Sequence, residues 1–157
     1  SVKWRRYYSL GRRFSLGVNA VAQGCLGKLG GNYTATLIQA PGFGPTPSTR
    51  YYFNAPFRSF NYIAAGVSPV WNIMSNLQLR GDFYLYEPLR KIVPDPDGNA
   101  AYGDWLNSPQ FVGELAAVYN FSFASLAVYA NCLTHTPRHF NVGISFGLMF
   151  DAPRFIE

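Results

Sequence analysis

Residues 140–150 read Phe-Asn-Val-Gly-Ile-Ser-Phe-Gly-Leu-Met-Phe. Phe140, Val142, Ile144, Phe146, Leu148 and Phe150 fall on one side of an extended chain, and Asn141, Gly143, Ser145, Gly147 and Met149 on the other. Alternation with period two is a strand signal, because successive side chains of a strand point to opposite faces. A strand of a soluble domain runs about five or six residues. A tilted membrane-crossing strand needs about 9–11. Gly143, Ser145 and Gly147 fill a soluble core poorly and suit the inward side of a barrel.

The same pattern recurs upstream. Strands are expected near 3–9, 14–23, 62–71, 77–87, 110–120 and 123–132. In 14–23, Phe14, Leu16, Val18, Ala20 and Ala22 oppose Ser15, Gly17, Asn19 and Gln23. In the 77–87 segment, Leu77, Leu79, Gly81, Phe83 and Leu85 oppose Gln78, Arg80, Asp82, Tyr84 and Tyr86. Short turns at 10–13, 72–76 and 120–122 alternate with long loops at 24–60, 88–109 and 133–138. Short turns on one side and long loops on the other are the habit of outer-membrane barrels, with the short side periplasmic. Trp71, Tyr119, Phe140 and Phe150 near strand ends would form interfacial girdles. Residues 32–40 offer an eighth strand, but as a crossing they would put the 10–13 turn on the long-loop side. They are therefore read as part of the long extracellular loop. Single-chain bacterial barrels use an even strand number, so further strands are expected upstream of Ser1.

Composition agrees. Of 157 residues, 48% are hydrophobic and 17% aromatic, whereas 13% are charged. The charged share is about half the globular norm, which excludes disorder. Thirteen Lys and Arg outnumber eight Asp and Glu, but they are scattered and lack the clustering of a nucleic-acid binder. Cys25 and Cys132 lie far apart, without metal-ligand spacing, so neither a zinc finger nor a disulfide scaffold is expected. Their pairing would need the loops to bend inward. A soluble β-sandwich or lipocalin-like barrel is the competing fold. Strand length, low charge and Arg80, Asp82 and Glu114 opposite the apolar face weigh against it. A membrane helix over 111–133 is disfavoured by Glu114, Asn120, Ser122 and Ser125.

The last segment resembles the C-terminal β-signal of outer-membrane proteins, carried here by Asn141, Gly143, Phe146, Leu148 and Phe150. It implies the barrel assembly machinery as a partner. Phe57-Arg58-Ser59-Phe60, closing the longest loop before a strand, resembles the loop motif of the BamA-like surface-antigen barrel superfamily. There the loop folds into the lumen of a sixteen-stranded barrel and meets an inward acidic residue, which matches Asp82. The resemblance thus implies a latch between Arg58 and Asp82. The chain as a whole, notably Asn32 to Pro47 and the ending Gly143 to Phe155, resembles the C-terminal barrel of patatin-like outer-membrane proteins of Bacteroides-type bacteria. That implies a translocator or anchor joined to an N-terminal lipid acyl hydrolase. The chain lacks the G-x-S-x-G setting of such a hydrolase, so it is read as non-catalytic, with no cofactor and no metal.

The expectations are these. Residues 1–157 form an all-β transmembrane antiparallel barrel segment of seven or eight strands in a bacterial outer membrane. Its surroundings are lipid and lipopolysaccharide, and its partner is an N-terminal portion of the same protein. A small self-contained eight-stranded barrel, adhesive or structural, is the main alternative. Arg80 and Glu114 face inward on adjacent strands and are expected to pair. His135, Arg138 and His139 are expected to touch lipopolysaccharide phosphates, with Lys28, Arg50, Arg90 and Lys91 on the same side. Arg5, Arg6, Arg12 and Arg13 flank the first short turn as solvated charges.

Overall fold

The structure, a computed structural model, describes residues 1–51, 53–134 and 140–148. Long period-two segments become long strands: β1 (Val2–Ser9), β2 (Phe14–Gln23), β3 (Tyr62–Asn72), β4 (Leu77–Pro88), β7 (Gln110–Asn120), β8 (Ala124–Leu133) and β9 (Phe140–Leu148). They form one antiparallel seven-stranded sheet in the order β1-β2-β3-β4-β7-β8-β9. The sheet is open, with β1 and β9 at its edges. Tight turns join β1–β2, where the Leu10 amide donates to Phe14 O, and β7–β8, where Phe121 donates to Ala124 O. The 88–109 connection is not a plain loop. It contains a second antiparallel pair, β5 (Arg90–Pro94) and β6 (Ala100–Trp105), closed by a turn at Gly98 with φ +79°.

Residues 32–40, read as loop with a possible strand, hold the helix α1 (Tyr33–Gln39). Asn32 caps it by accepting from the Ala35 amide at 3.0 Å, and Thr36 Oγ1 returns a bond to Asn32 O. Thr36, Leu37 and Ala40 are buried, at spacings that share one helical face. Pro41 stops the helix, because it has no amide to continue the ladder.

Pro69 lies inside β3, where a missing amide would normally break the sheet. Ser68 and Pro69 have no Cα partners on β4, although Val67 and Val70 on either side do. A side-chain bond spans that gap, with Ser68 Oγ donating to Asp82 Oδ1 at 2.6 Å.

The long connection between β2 and β3 folds back over one face of the sheet. Phe43 and Phe57 from this loop pack on Tyr62, Ala64, Tyr84, Tyr86, Val112 and Leu133. Phe43 stacks on Tyr86 with ring centroids 5.2 Å apart, and meets Tyr62 and Tyr84 edge-on. A second cluster, Leu37, Ala40, Phe60 and Ile92, ties α1 to β5.

The other face is bare. One row, in register across six strands, runs Phe14, Trp71, Leu79, Ala117, Val128, Ile144. Its large members are all exposed, up to 71% at Ile144. Among the described residues no helix is long and apolar enough to cross a membrane, which leaves strands untested.

Candidate functional site

The covered face carries a polar row. Tyr7, Gly17, Ser68, Asp82, Glu114, Asn131 and Asn141 follow one another from β1 to β9, by register or by the Ser68–Asp82 bond. Ser68, Asp82, Glu114 and Asn131 are buried. Buried charges and amides are costly unless they are bonded, and here two networks bond them.

The first network runs along the β1 side. Arg5 Nε donates to Asn19 Oδ1 at 2.7 Å, Asn19 Nδ2 to Ser68 Oγ at 3.1 Å, and Ser68 Oγ to Asp82. Arg80 closes it, donating from Nε to Asp82 Oδ2 at 2.6 Å and from Nη2 to Oδ1 at 3.1 Å. The second network joins the loop to the wall. Ser48 Oγ donates to Glu114 Oε2. Asn131 Nδ2 donates to Ser48 Oγ at 2.8 Å, and Asn141 Nδ2 to Asn131 Oδ1 at 3.1 Å. The Thr46 hydroxyl bonds Ser48 Oγ at 3.2 Å and is itself bonded to the Thr49 hydroxyl at 3.0 Å.

Both expected pairings are rearranged. Arg58 does not reach Asp82. Its Nη1 donates to the carbonyls of Leu37, Ile38 and Ala40 at 3.2, 2.9 and 3.0 Å, and its guanidinium lies 4.5 Å from the Phe53 ring centre. Three carbonyls satisfy the cation, so it needs no carboxylate. Arg58 therefore binds the loop to itself, closing the C-terminal end of α1. Arg80 does not pair with Glu114. Glu114 stands opposite Asp82 in the register, and Arg80 opposite Ala116. Asp82 is two residues from Arg80 on the same face of one strand, and it is the carboxylate the guanidinium takes. The link from loop to wall is Ser48 with Glu114 and Asn131.

Ser48, Asn19, Ser68 and Asn131 were not singled out from the sequence. Asn19 and Asn131 carried the signal of inward parity. Ser48 carried none, because it lies in an aperiodic Pro-rich loop. Ser48 is 2% exposed, and its hydroxyl is held among a carboxylate, an amide and the Thr46 hydroxyl. Its chemistry is that of an anchor.

Of the β-signal residues, Asn141 joins the polar row, and Gly143 receives the Tyr129 ring from its register partner. Phe146 and Leu148 are exposed on the bare face. Phe150 lies outside the described residues, as do His135, Arg138 and His139. Arg90 lies over Tyr102 and Trp105, at 5.7 and 5.1 Å. Arg6 lies 5.3 Å from the Tyr8 ring centre. Cys25 and Cys132 are free thiols. Among the described residues no group of three or more His, Cys, Asp or Glu is placed to hold a metal ion.

Arg58→Met should speed amide exchange at Ala40, whose bond to Thr36 O closes α1. Loss of charge-assisted bonds worth about 1.5 kcal/mol corresponds to roughly tenfold. Arg58→Lys should restore most of the protection, because one nitrogen makes all three carbonyl bonds. Exchange followed by mass spectrometry distinguishes the two variants.

Set against known protein families, curated proteins and solved structures, the chain matches none.

Proposed function

We propose that this chain is a length of outer-membrane β-barrel wall, serving as the anchor or translocator part of a surface protein and not itself catalytic. The observation that carries the reading is the inversion of burial. Leu115, Val142, Ile144 and Phe146 are 60–71% exposed, while Asp82, Glu114 and Asn131 are 1–4% exposed. Water-soluble monomers rarely leave contiguous apolar patches larger than a few hundred Å². A bilayer favours this arrangement, since an antiparallel ladder satisfies the backbone and the apolar rows meet lipid. The open edges β1 and β9 would be closed by further strands, because a long unpaired edge invites association. The loop over the polar face then acts as an interior plug.

The patatin-like parent rests on the resemblance of Asn32 to Pro47 and of the chain's ending. On that reading a lipid acyl hydrolase stands N-terminal to the wall, and the plugged interior controls its passage or holds it at the surface.

The test is extraction and gel migration. The protein should stay with outer membranes, require detergent, and migrate faster unheated than boiled. Leu115→Asp, on the bare face, should cost about 1–2 kcal/mol in the membrane, where acidic residues cost somewhat less than the 2–4 of a cation at midplane. On a water-facing surface the same change stays within about 0.5 kcal/mol. A chain that is freely soluble and tolerates Leu115→Asp would overturn the proposal.

A further inference from the structure

A cavity of about 600 Å³ lies between the long loop and the β1–β2 edge of the polar face. Its charged lining is Lys3 and Arg5 from β1 and Arg50 from the loop, with no carboxylate among its lining residues. Phe43, Tyr62 and Tyr84 give it an apolar floor. Arg5 is held in place because Asn19, itself bonded to Ser68, accepts from its Nε. That leaves the two Nη groups of Arg5 without a protein acceptor among the described residues. Arg50 likewise uses only Nε, toward Gly44 O at 3.4 Å. The one ion pair among the described residues is Arg80–Asp82, so these three cations line the cavity without a carboxylate partner among them.

Two guanidinium forks and an ammonium around one space match the oxygens of a phosphate, which Arg binds bidentately and Lys as a point charge. A single phosphate is far smaller than this cavity, whose volume is that of a small-molecule site. We infer that the cavity binds a phosphate ester carrying an apolar body, with the phosphate on Arg5, Arg50 and Lys3 and the body on Phe43, Tyr62 and Tyr84. The site is built from the loop and strands β1–β4 alone, so it goes beyond the barrel reading and does not rest on it.

The ester could be soluble or a phospholipid headgroup, and two probes separate these sources. The full folded chain, in nonionic detergent or in buffer if it is soluble, is titrated with phenyl phosphate and with micelles doped with phosphatidylglycerol. Saturable binding of phenyl phosphate supports a soluble ester, and binding of the doped micelles alone supports a headgroup. Binding should weaken with salt. It should fall tenfold or more in Arg5→Gln/Arg50→Gln, and less in Lys3→Gln. Arg12→Gln/Arg13→Gln removes the same charge from the β1–β2 turn, outside the cavity, and should bind like the parent. Equal losses in both double variants, equal binding of phenol and phenyl phosphate, or no binding of either probe would overturn the inference.

Discussion

Gly66→Val should be the most damaging single substitution in the sheet, costing about 4 kcal/mol, the upper end of what overpacking does. Gly66 stands opposite Tyr84 in the β3–β4 register, and the Tyr84 ring lies across it. A Cβ built there would run into that ring and sit 2.6 Å from the backbone oxygen of Phe83. The ring cannot yield, since Tyr84 is 4% exposed and wedged against Phe43. The carbonyl cannot yield without breaking the ladder. The same arrangement recurs at Tyr7 over Gly17 and at Tyr129 over Gly143. At Gly143 the nearest atoms belong to the far end of the Tyr129 side chain, beside the edge strand β9. Gly143→Ala should therefore cost less, about 1–2 kcal/mol, since its three nearest atoms all belong to one side chain and none to the backbone. Urea unfolding of the two variants beside the parent measures the contrast. Equal midpoints would show that the aromatic lids are incidental.

The glycine contacts show where sequence reading succeeds and where it stops. Alternation in β9, β4 and β2 told which residues share a face, because period two is a property of the strand itself. It also told that the polar members look toward the covered side. It did not tell which inward residue faces which. That depends on register, and a shift of two residues leaves every face unchanged while exchanging partners. Facing alone pairs Arg80 with Glu114. The actual register sets Glu114 against Asp82 and leaves Arg80 to its own strand neighbour. Arg58 failed for a different reason. Its satisfaction depends on the carbonyls at the end of α1, a segment whose sequence is read as loop with a possible strand and not as a helix. Ser48 was illegible because aperiodic loop residues carry no facing information.

Glu114→Ala should free the loop tip with little change in the stability of the wall. Ser48 would keep Asn131 and Thr46 but lose its charged acceptor, and a hydrogen bond to a charged group is worth about 2–3 kcal/mol. That corresponds to a roughly 30- to 150-fold rise in the open population of the segment around Ser48. Trypsin can read this at Arg50, two residues beyond the anchor, provided reclosing is faster than cleavage. The wall itself is partly compensated. Asp82 and Glu114 face one another directly on neighbouring strands, and like charges so placed repel. Removing one therefore relieves some of the loss in the sheet while the loop bears the rest. Two further variants separate this anchor from the latch the loop motif suggested. Glu114→Gln keeps an oxygen for Ser48 and ends the repulsion, so Arg50 should remain protected. Asp82→Asn weakens the hold on Arg80 and Ser68 within the sheet, yet among the described residues Asp82 has no hydrogen bond to the loop, so cleavage at Arg50 should stay near the parent rate. If Asp82→Asn opened the loop and Glu114→Ala did not, the loop would be held through Asp82 after all, and the Ser48 anchor would be disproved.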